Sequence, residues 1–188
     1  MRKMWMVRLC GLLLFLVSAD GHADDILWQG LREGNHMALM RHALAPGTGD
    51  PVRFNVNDCS TQRNLSDEGQ EQSRRIGALF RQNGIDAALV YSSQWCRCLD
   101  TANLLGLGAV EPLRIINSFF QTFDRGPMQT AALGEWMAQA PLVQPTILVT
   151  HQVNITAFTG VYPSSGEIVF LKRGNDGAMT VVGTVETQ

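Results

Sequence analysis

The chain has 188 residues, of which 45% are hydrophobic and 17% are charged, and its formal net charge is −2. This length suits one domain with a substantial core, and the apolar content excludes an intrinsically disordered chain. Because 15 basic residues face 17 acidic ones, the composition also argues against a protein that holds nucleic acid mainly by electrostatic attraction.

The first 23 residues have the pattern of a secretory signal peptide. Met1–Arg8 carries three basic residues and no acid, Leu9–Val17 is an apolar run, and Ser18–Ala23 supplies small residues. Nine residues rising ~1.5 Å each are too short for a hydrocarbon core of about 30 Å, so a membrane anchor is the weaker alternative. Cleavage after Ala19 and cleavage after Ala23 both fit, and the mature protein is expected to be periplasmic or secreted.

Residues 24–188 are predicted to form one α/β domain. Short apolar runs between turn signals predict six strands, at His36–Arg41, Ala87–Tyr91, Leu113–Ile116, Thr146–Thr150, Glu167–Lys172 and Met179–Val185. Amphipathic stretches predict four helices, at Asp67–Gln82, Trp95–Leu105, Met128–Gln139 and Val153–Thr159. Their alternation favours a three-layer sandwich, with a mostly parallel central sheet and helices on both faces. Arg173–Gly177 is expected to close a hairpin at the sheet edge.

The best-defined helix start precedes Asp67. Ser66 is a natural N-cap residue, and Asp67 and Glu68 place negative charge in the first turn, where the helix dipole favours it. Asn83 and Gly84 are typical of a helix end.

Polar side chains follow three of the predicted strands. Arg41 and His42 stand at the end of the first, Ser93 and Arg97 follow the second, and His151 follows the fourth. Parallel α/β sheets bind ligands beyond the carboxyl ends of their strands, so these side chains are expected to meet in one crevice. Two guanidiniums and two imidazoles there would favour an anion, and a phosphoryl group fits the planar fork of arginine best.

Three cysteines, Cys59, Cys96 and Cys98, remain after the predicted leader is removed. In an exported protein this number allows one disulfide and one free thiol. Cys96 and Cys98 are too close in the chain for an easy mutual bridge, so we expect Cys59 to pair with one of them. A zinc site built on all three is the alternative, although no CxxC spacing supports it.

Four blocks of the sequence resemble the histidine phosphatase superfamily, the phosphoglycerate-mutase-like group, in its branch 1 form. They are Leu39–His42 (LMRH), Leu65–Gly69 (LSDEG), Ser92–Ala102 (SSQWCRCLDTA) and Val149–His151 (VTH). The blocks occur in the order of the family pattern and extend over nearly the whole of residues 24–188.

The resemblance implies a role for each matching residue. His42 corresponds to the nucleophile, which forms a phosphohistidine that water hydrolyses, and Arg41, Arg97 and His151 correspond to the residues that bind the phosphoryl oxygens. No metal or other cofactor is implied. Ala43 replaces the glycine that many relatives have after Arg-His, and the Arg-His-Gly-Glu pattern of the mutases is missing, which argues against a glycolytic mutase.

The acid that protonates the leaving oxygen has a single candidate in this pattern. Many relatives place a carboxylate after the third strand, and Asp124 is the only carboxylate there. The alternative for Asp124 is a solvated loop residue paired with Arg125. If Asp124 points away, esters with good leaving groups and phosphoamides remain feasible substrates.

Residues 43–64 are too polar and too rich in Gly and Pro for regular structure, and a loop of this length is expected to form a wall of the site. Within it, Thr48 and Arg53 are candidate substrate contacts. Outside it, Ser93 and Gln152 are candidate pocket residues, and Gln152 could equally cap the next helix.

These observations predict a metal-independent phosphatase that hydrolyses small phosphomonoesters, with envelope sugar phosphates as one candidate class. A phosphate-binding module with the same pocket and no turnover is the first alternative, and a structural envelope protein with a decayed site is the second. No nucleic-acid partner and no stable membrane span are expected, and the sequence does not define the oligomeric state.

Overall fold

The computed structural model describes the backbone of residues 20–187 and the side chains of residues 24–187. Most of the predicted signal peptide, including the cleavage position after Ala19, lies outside the described residues. The elements in chain order are α1 (Asp20–Arg32), β1 (His36–Arg41), α2 (Asp67–Gln82), β2 (Leu89–Ser92), α3 (Cys96–Leu105), β3 (Val110–Pro112), α4 (Gly126–Gln139), β4 (Thr146–Thr150), α5 (Gln152–Thr159), β5 (Ile168–Arg173) and β6 (Met179–Val185). Single 3₁₀ turns lie at Cys59–Thr61, Arg114–Ile116 and Phe123–Arg125.

The strands form one mixed sheet in the order β3-β2-β4-β1-β5-β6. The pairings among β3, β2, β4 and β1 are parallel, whereas β5 pairs antiparallel with β1 and β6 antiparallel with β5. The predicted sandwich with a mostly parallel sheet is therefore confirmed, as is the closing hairpin at the edge. The central strands β1 and β4 are buried on both faces, which explains why they read as continuous apolar runs.

Helices cover both faces of the sheet. On one face, α1, α2 and α3 bury a cluster in which Trp28 lies edge-on to Phe80 and Phe170, with ring centroids 5.2 Å and 5.1 Å apart. On the other face, Leu133 and Met137 of α4 and Ile155 of α5 pack on the sheet. Truncating a buried aromatic such as Trp28 to alanine typically costs about 3–5 kcal/mol, so α1 is a substantial part of the core.

Two elements differ from the sequence prediction. Helix α1 was not predicted, because the signal-peptide pattern ends within it. The strand expected at Leu113–Ile116 is wrong: the third strand is Val110–Pro112, and residues 114–116 form a 3₁₀ turn. Ile116 is fully buried in the cluster beneath α4, so its apolar character reflects packing on the sheet and not a place in it.

Helix α2 begins as the sequence indicates and approaches the loop after β1 very closely. The Ser66 hydroxyl accepts a hydrogen bond from the Gly69 N–H at 3.1 Å, and Asp67 and Glu68 lie in the first turn. A Cβ at Gly69 would overlap the carbonyl group of Leu44. The glycine therefore allows the helix to touch the backbone two residues beyond His42.

Across residues 20–187, the helices are all too short or too polar to span a bilayer.

Candidate active site

Four side chains meet beyond the carboxyl ends of three neighbouring strands. Arg41 ends β1 and His42 follows it, Arg97 lies in the first turn of α3 after β2, and His151 follows β4. Because β4 lies between β1 and β2 in the sheet, these positions are adjacent. All four side chains line one cavity of about 140 Å³. The structure thus brings together the residues that the sequence places at three strand ends.

The ring of His42 is held in the tautomer that leaves Nε2 unprotonated. Its Nδ1 lies 2.7 Å from the carbonyl oxygen of Ala43, which can only accept a hydrogen bond. Its Nε2 lies 3.3 Å from Nε of Arg97, which can only donate. Burial, then the positive charges of Arg97 and Arg41, hold the pKa of His42 well below its usual 6.5. The ring is therefore neutral, with a lone pair on Nε2.

His151 presents the opposite nitrogen to the same guanidinium. Its Nδ1 lies 3.4 Å from Nη2 of Arg97, so Nδ1 accepts and Nε2 carries the proton. Nε2 lies 2.8 Å from the hydroxyl oxygen of Ser93, and that hydroxyl donates to Oδ1 of Asn117 at 3.2 Å. Burial first, and then Arg97, keep the pKa of His151 well below 6.5. The two imidazole rings lie 5.5 Å apart between centroids.

Arg41 has a donor with no partner. Its Nη1 donates to the carbonyl oxygen of Pro163 at 2.9 Å, whereas its Nε is buried and has no hydrogen-bond partner among the described residues. Buried N–H groups are nearly always satisfied. Because Arg41 lines the cavity, this unpaired N–H is a candidate donor to a ligand there. Burial also lowers the pKa of Arg41.

Two further charged residues line the cavity and were missed by the sequence analysis. Both oxygens of Asp50 bind Arg97, at 2.6 Å from Nη1 and 3.2 Å from Nη2. The guanidinium of Arg63 donates to the carbonyl oxygens of Gly49, at 2.8 Å, and Ala45, so it holds the loop in place. The signal that could have identified them is slight: both lie in the Gly- and Pro-containing loop that was expected to form a wall.

Of the four other predicted pocket residues, two line the cavity and two do not. Thr48 and Gln152 line the cavity. Ser93 is fully buried behind His151 and contacts that ring from outside the cavity. Arg53 is exposed and is not among the lining residues.

Asp124, the predicted acid, does not reach the cavity. It lies in the 3₁₀ turn Phe123–Arg125, its side chain is exposed, and it is absent from the lining residues. It forms no ion pair with Arg125 within the described part of the chain. The physical reason is the direction of the turn: Phe120 faces the cavity, and the residues that follow turn outward into solvent. The carboxylate at the site is Asp50 from the other loop.

Cys59 and Cys96 form a disulfide, with Cα atoms 5.7 Å apart. The bond ties the long loop to the first residue of α3, next to Arg97. Cys98 is a buried free thiol, and burial raises its pKa to about 12. The zinc alternative is wrong, because two of the three cysteines are joined to each other. Between residues 24 and 187, no group of three or more His, Cys, Asp or Glu side chains is arranged to hold a metal ion.

The cavity has the chemistry of a site for a compact anion. Arg41 and Arg97 supply donors, and two neutral imidazoles present lone pairs toward the same guanidinium. A neutral imidazole nitrogen can attack an electrophilic phosphorus atom, and arginine donors can stabilise the charge that builds up on its oxygens.

The sequence matches the profile of a known family over residues 37–141, more than half of the chain. That family is described as the histidine phosphatase superfamily (branch 1). Among curated proteins, none is significantly similar to this chain.

Several solved structures have a similar fold. The protein histidine phosphatase SixA complexed with tungstate is 15% identical, with a TM-score of 0.57, over 81% of this chain and 97% of that one. Mycobacterial glucosyl-3-phosphoglycerate phosphatase in complex with VO3 is 14% identical, with a TM-score of 0.59, over 78% and 96%. Phosphoserine phosphatase from Entamoeba histolytica, in complex with 3-phosphoglyceric acid, is 14% identical, with a TM-score of 0.55, over 81% and 98%. At these identities the likeness establishes a shared fold.

Proposed function

The chain belongs to the histidine phosphatase superfamily (branch 1), and we propose that it hydrolyses small phosphomonoesters through a phosphohistidine on His42. The observation that carries the proposal is the protonation pattern of the cavity. His42 is neutral and its Nε2 carries no hydrogen, so a lone pair is available there. Nε2 lies 3.3 Å from Nε of Arg97, whose guanidinium would hold the phosphoryl oxygens.

In the first step the phosphoryl group binds between the arginines and the imidazoles. Nε of Arg41 donates to one oxygen, because no group among the described residues uses that hydrogen. Nε and Nη2 of Arg97 donate to the others, because their present contacts with the imidazoles are long, at 3.3 Å and 3.4 Å. Arginine charge supplies the electrostatic stabilisation, so the proposal needs no metal ion.

In the second step Nε2 of His42 attacks phosphorus in line with the ester oxygen. The N–P bond forms as the P–O bond breaks, and the leaving oxygen takes a proton from solvent at the cavity mouth to become an alcohol. The Ala43 carbonyl oxygen keeps the Nδ1 proton in place while positive charge develops on the ring. Water then attacks phosphorus on the opposite side, which releases inorganic phosphate and restores neutral His42.

The substrate class that we propose is a sugar phosphate of the cell envelope. Phe120 and Tyr162 line the cavity and are partly exposed at its mouth, where flat apolar faces suit the C–H face of a sugar ring. The mycobacterial enzyme named above is a phosphatase of glucosyl-3-phosphoglycerate, and its structure contains VO3, while the SixA structure contains tungstate.

We propose that the enzyme works in the periplasm or outside the cell, after removal of a signal peptide within residues 1–23. The Cys59–Cys96 disulfide supports this location, because disulfides persist in oxidising compartments. Sequencing the amino terminus of the exported protein tests the proposal. A first residue of Asp20 or Asp24 is expected, and an intact leader on an inner-membrane protein would contradict it.

A phosphate-binding module with little turnover is the second candidate. It is favoured by one observation: the described residues that line the cavity include no carboxylate free to protonate a leaving group, because Asp124 is exposed outside the cavity and Asp50 is paired with Arg97.

The decisive experiment is the replacement of His42. The variant His42→Ala should lose p-nitrophenyl phosphate hydrolysis by about 10³-fold or more, as removal of other nucleophiles does. It should keep its circular dichroism spectrum. Treatment of the wild type with labelled substrate and rapid denaturation should yield an acid-labile phosphohistidine. Vanadate binding without turnover in the wild type would instead identify a binding module.

EDTA provides the test for metal involvement. Activity should be unchanged after dialysis against EDTA, and recovery that depends on an added divalent ion would contradict a metal-independent reaction.

A further inference from the structure

Asp50 is a buried carboxylate that none of the proposed chemical steps uses. Its side chain is 4% exposed and the Arg97 side chain is 2% exposed, so the pair is shielded from water. Besides Arg97, it accepts a hydrogen bond from Nε1 of Trp95 at 2.9 Å. A buried carboxylate is costly to retain unless it is paired, and here three side-chain N–H groups pair it.

The hydrogen bonds of Arg97 divide its guanidinium into two edges. The outer edge binds Asp50 through Nη1 at 2.6 Å and Nη2 at 3.2 Å, and Nη1 also donates to the carbonyl oxygen of Arg63 at 3.2 Å. The inner edge, Nε and Nη2, faces the imidazoles of His42 and His151. All five hydrogens of the guanidinium are thus engaged, with the short bonds on the outer edge.

The backbone that carries Asp50 is itself held on several sides. Arg63 donates to the carbonyl oxygen of Gly49 at 2.8 Å, and Gln121 donates to that of Asp50 at 3.3 Å. Phe54 stacks on Trp95, with ring centroids 4.9 Å apart. The carboxylate is therefore a fixed acceptor and not the end of a freely moving loop.

The charge balance of the cavity gives a second reason why a carboxylate stands at position 50. Three arginines, Arg41, Arg63 and Arg97, line the cavity, and Asp50 is the one carboxylate among the lining residues. With both imidazoles neutral, the site has an excess of two positive charges. A phosphomonoester dianion carries the opposite charge in equal amount. Without Asp50 the repulsion among the arginines would act unopposed on the position of Arg97.

We propose that Asp50 is a positioning residue for the phosphatase reaction. Its carboxylate binds the outer edge of Arg97 and so turns the inner edge toward the gap between His42 and His151, where the phosphoryl group binds. This inference rests on the proposed function, because it assigns Arg97 to the phosphoryl oxygens.

The ionisation of Asp50 agrees with this role. Burial would raise its pKa, but the hydrogen bonds from Arg97 and Trp95 and the charge of Arg97 lower the pKa overall. The carboxylate is ionised in the resting enzyme and acts as an acceptor. A proton donor for the leaving group would instead need a raised pKa.

The test compares Asp50→Asn with Asp86→Asn, a control that makes the same chemical change at an exposed residue outside the cavity. Asp50→Asn should lower kcat/KM on the order of 100-fold, because a misplaced catalytic group costs about that much. The loss should be equal for p-nitrophenyl phosphate and for glycerol 2-phosphate, whose leaving groups differ greatly. Vanadate should bind about 10-fold more weakly to this variant in thermal-shift titrations, as expected for loss of a charged hydrogen bond. The control should match the wild type in both measurements.

A double-mutant cycle shows whether Asp50 acts through Arg97. In an Arg97→Lys background, where no bidentate pair can form, Asp50→Asn should change kcat/KM by less than about 3-fold. A full additional loss in that background would overturn the proposal.

Three other results would also overturn it. Tighter vanadate binding by Asp50→Asn with kcat retained would mean that Asp50 occupies the phosphoryl position and is displaced by substrate. A loss confined to glycerol 2-phosphate would make Asp50 a proton donor. A wild type that neither binds vanadate nor hydrolyses either ester would overturn the proposed function and this inference with it.

A second variant covers the case in which Asp50→Asn fails to fold. Trp95→Phe removes one donor to the carboxylate and keeps an aromatic ring beside Phe54 and His151. It should lower kcat/KM by about 3- to 10-fold for both substrates, as loss of a single hydrogen bond would. An unchanged kcat/KM in a folded Trp95→Phe protein would contradict the positioning role of the Asp50 carboxylate.

Discussion

The hydroxyl oxygen of Ser93 lies 2.8 Å from Nε2 of His151, on the side of the ring that faces away from the cavity. This contact agrees with the tautomer that Arg97 imposes, because the Ser93 hydroxyl donates to Asn117 and its oxygen accepts from Nε2. Through Asn117 it also anchors the ring to the segment after β3. The serine thus acts on the site through His151, which lines the cavity, and does not line the cavity itself.

Removing the Ser93 hydroxyl should weaken catalysis without unfolding the protein. We expect Ser93→Ala to lower kcat by about 10-fold, the equivalent of one lost hydrogen bond. KM should change little, because the arginines remain in place. Steady-state kinetics checks this, with Ser60→Ala, an exposed hydroxyl outside the cavity, as the control. A changed KM with an unchanged kcat would show that Ser93 affects binding instead.

The two site histidines should remain neutral in mildly acidic solution. Burial, followed by nearby arginine charge, lowers the pKa of His42 and His151 in the folded state. NMR titration of the ring protons, assigned with His42→Ala and His151→Ala, should therefore show both midpoints well below 6.5. A midpoint near 6.5 for either ring would contradict the buried, arginine-flanked site.

The same lowering makes stability dependent on pH in a defined direction. Below pH 6.5 the unfolded chain protonates these rings and the folded protein does not, so the free energy of unfolding should fall as the pH is lowered from there. Asp50, whose pKa is also lowered, adds a further loss as the pH falls below 3.8. Urea unfolding at a series of pH values measures both effects. Equal stability at pH 7 and pH 5 would contradict the first.

The disulfide should contribute to both stability and activity. Cys59 and Cys96 are separated by 37 residues, and closing a loop of that size stabilises a fold by about 3–4 kcal/mol in the chain-entropy account. The double variant Cys59→Ser, Cys96→Ser should lose that much in urea unfolding. Its kcat should fall as well, because the bond fixes the start of α3 beside Arg97. Dithiothreitol should affect the wild type alone, and equal sensitivity of the variant would point to Cys98.

Replacing Asp124 should have almost no effect. Its side chain is exposed and outside the cavity, and surface substitutions of this kind change stability by less than about 0.5 kcal/mol. We expect Asp124→Asn to retain kcat and KM for both aryl and alkyl phosphates. A loss seen with alkyl phosphates alone would return Asp124 to the role of proton donor.

Gly69 should not tolerate a side chain. An alanine Cβ there would meet the Leu44 carbonyl group, and overpacking of this kind costs about 1–3 kcal/mol. Gly134→Ala, in the middle of α4, is the matched control, because its Cβ would lie 3.5 Å from Phe158, an ordinary contact. Calorimetry should show a lower Tm for Gly69→Ala and an unchanged or higher Tm for Gly134→Ala. Equal Tm values would show that the loop moves aside without cost.

The parts of the molecule that sequence predicts are those with a regular pattern. The buried strands β1 and β4 and the capped helix α2 repeat their signal over several residues, and the ends of the strands fix where Arg41, His42 and His151 lie. Helix α1 was hidden by the signal-peptide pattern. The third strand was misplaced because Val110–Pro112 is short and mostly exposed, whereas the apolar run beside it is buried in a turn.

The loops explain the rest. Asp50 and Asp124 are both carboxylates in irregular segments, and no periodicity distinguishes the one that folds over the arginine from the one that faces solvent. The outcome depends on contacts far apart in the chain, such as those of Arg63 with the Asp50 loop and the disulfide to α3. Such contacts leave no local mark in the sequence.

The opposite tautomers of the two histidines limit where the proton for the leaving alcohol can come from. With one ring protonated at Nδ1, the other at Nε2, and Asp50 ionised, no carboxylic acid or imidazolium lines the cavity within residues 24–187. The hydrogen that the departing alcohol acquires must then come from solvent at the cavity mouth.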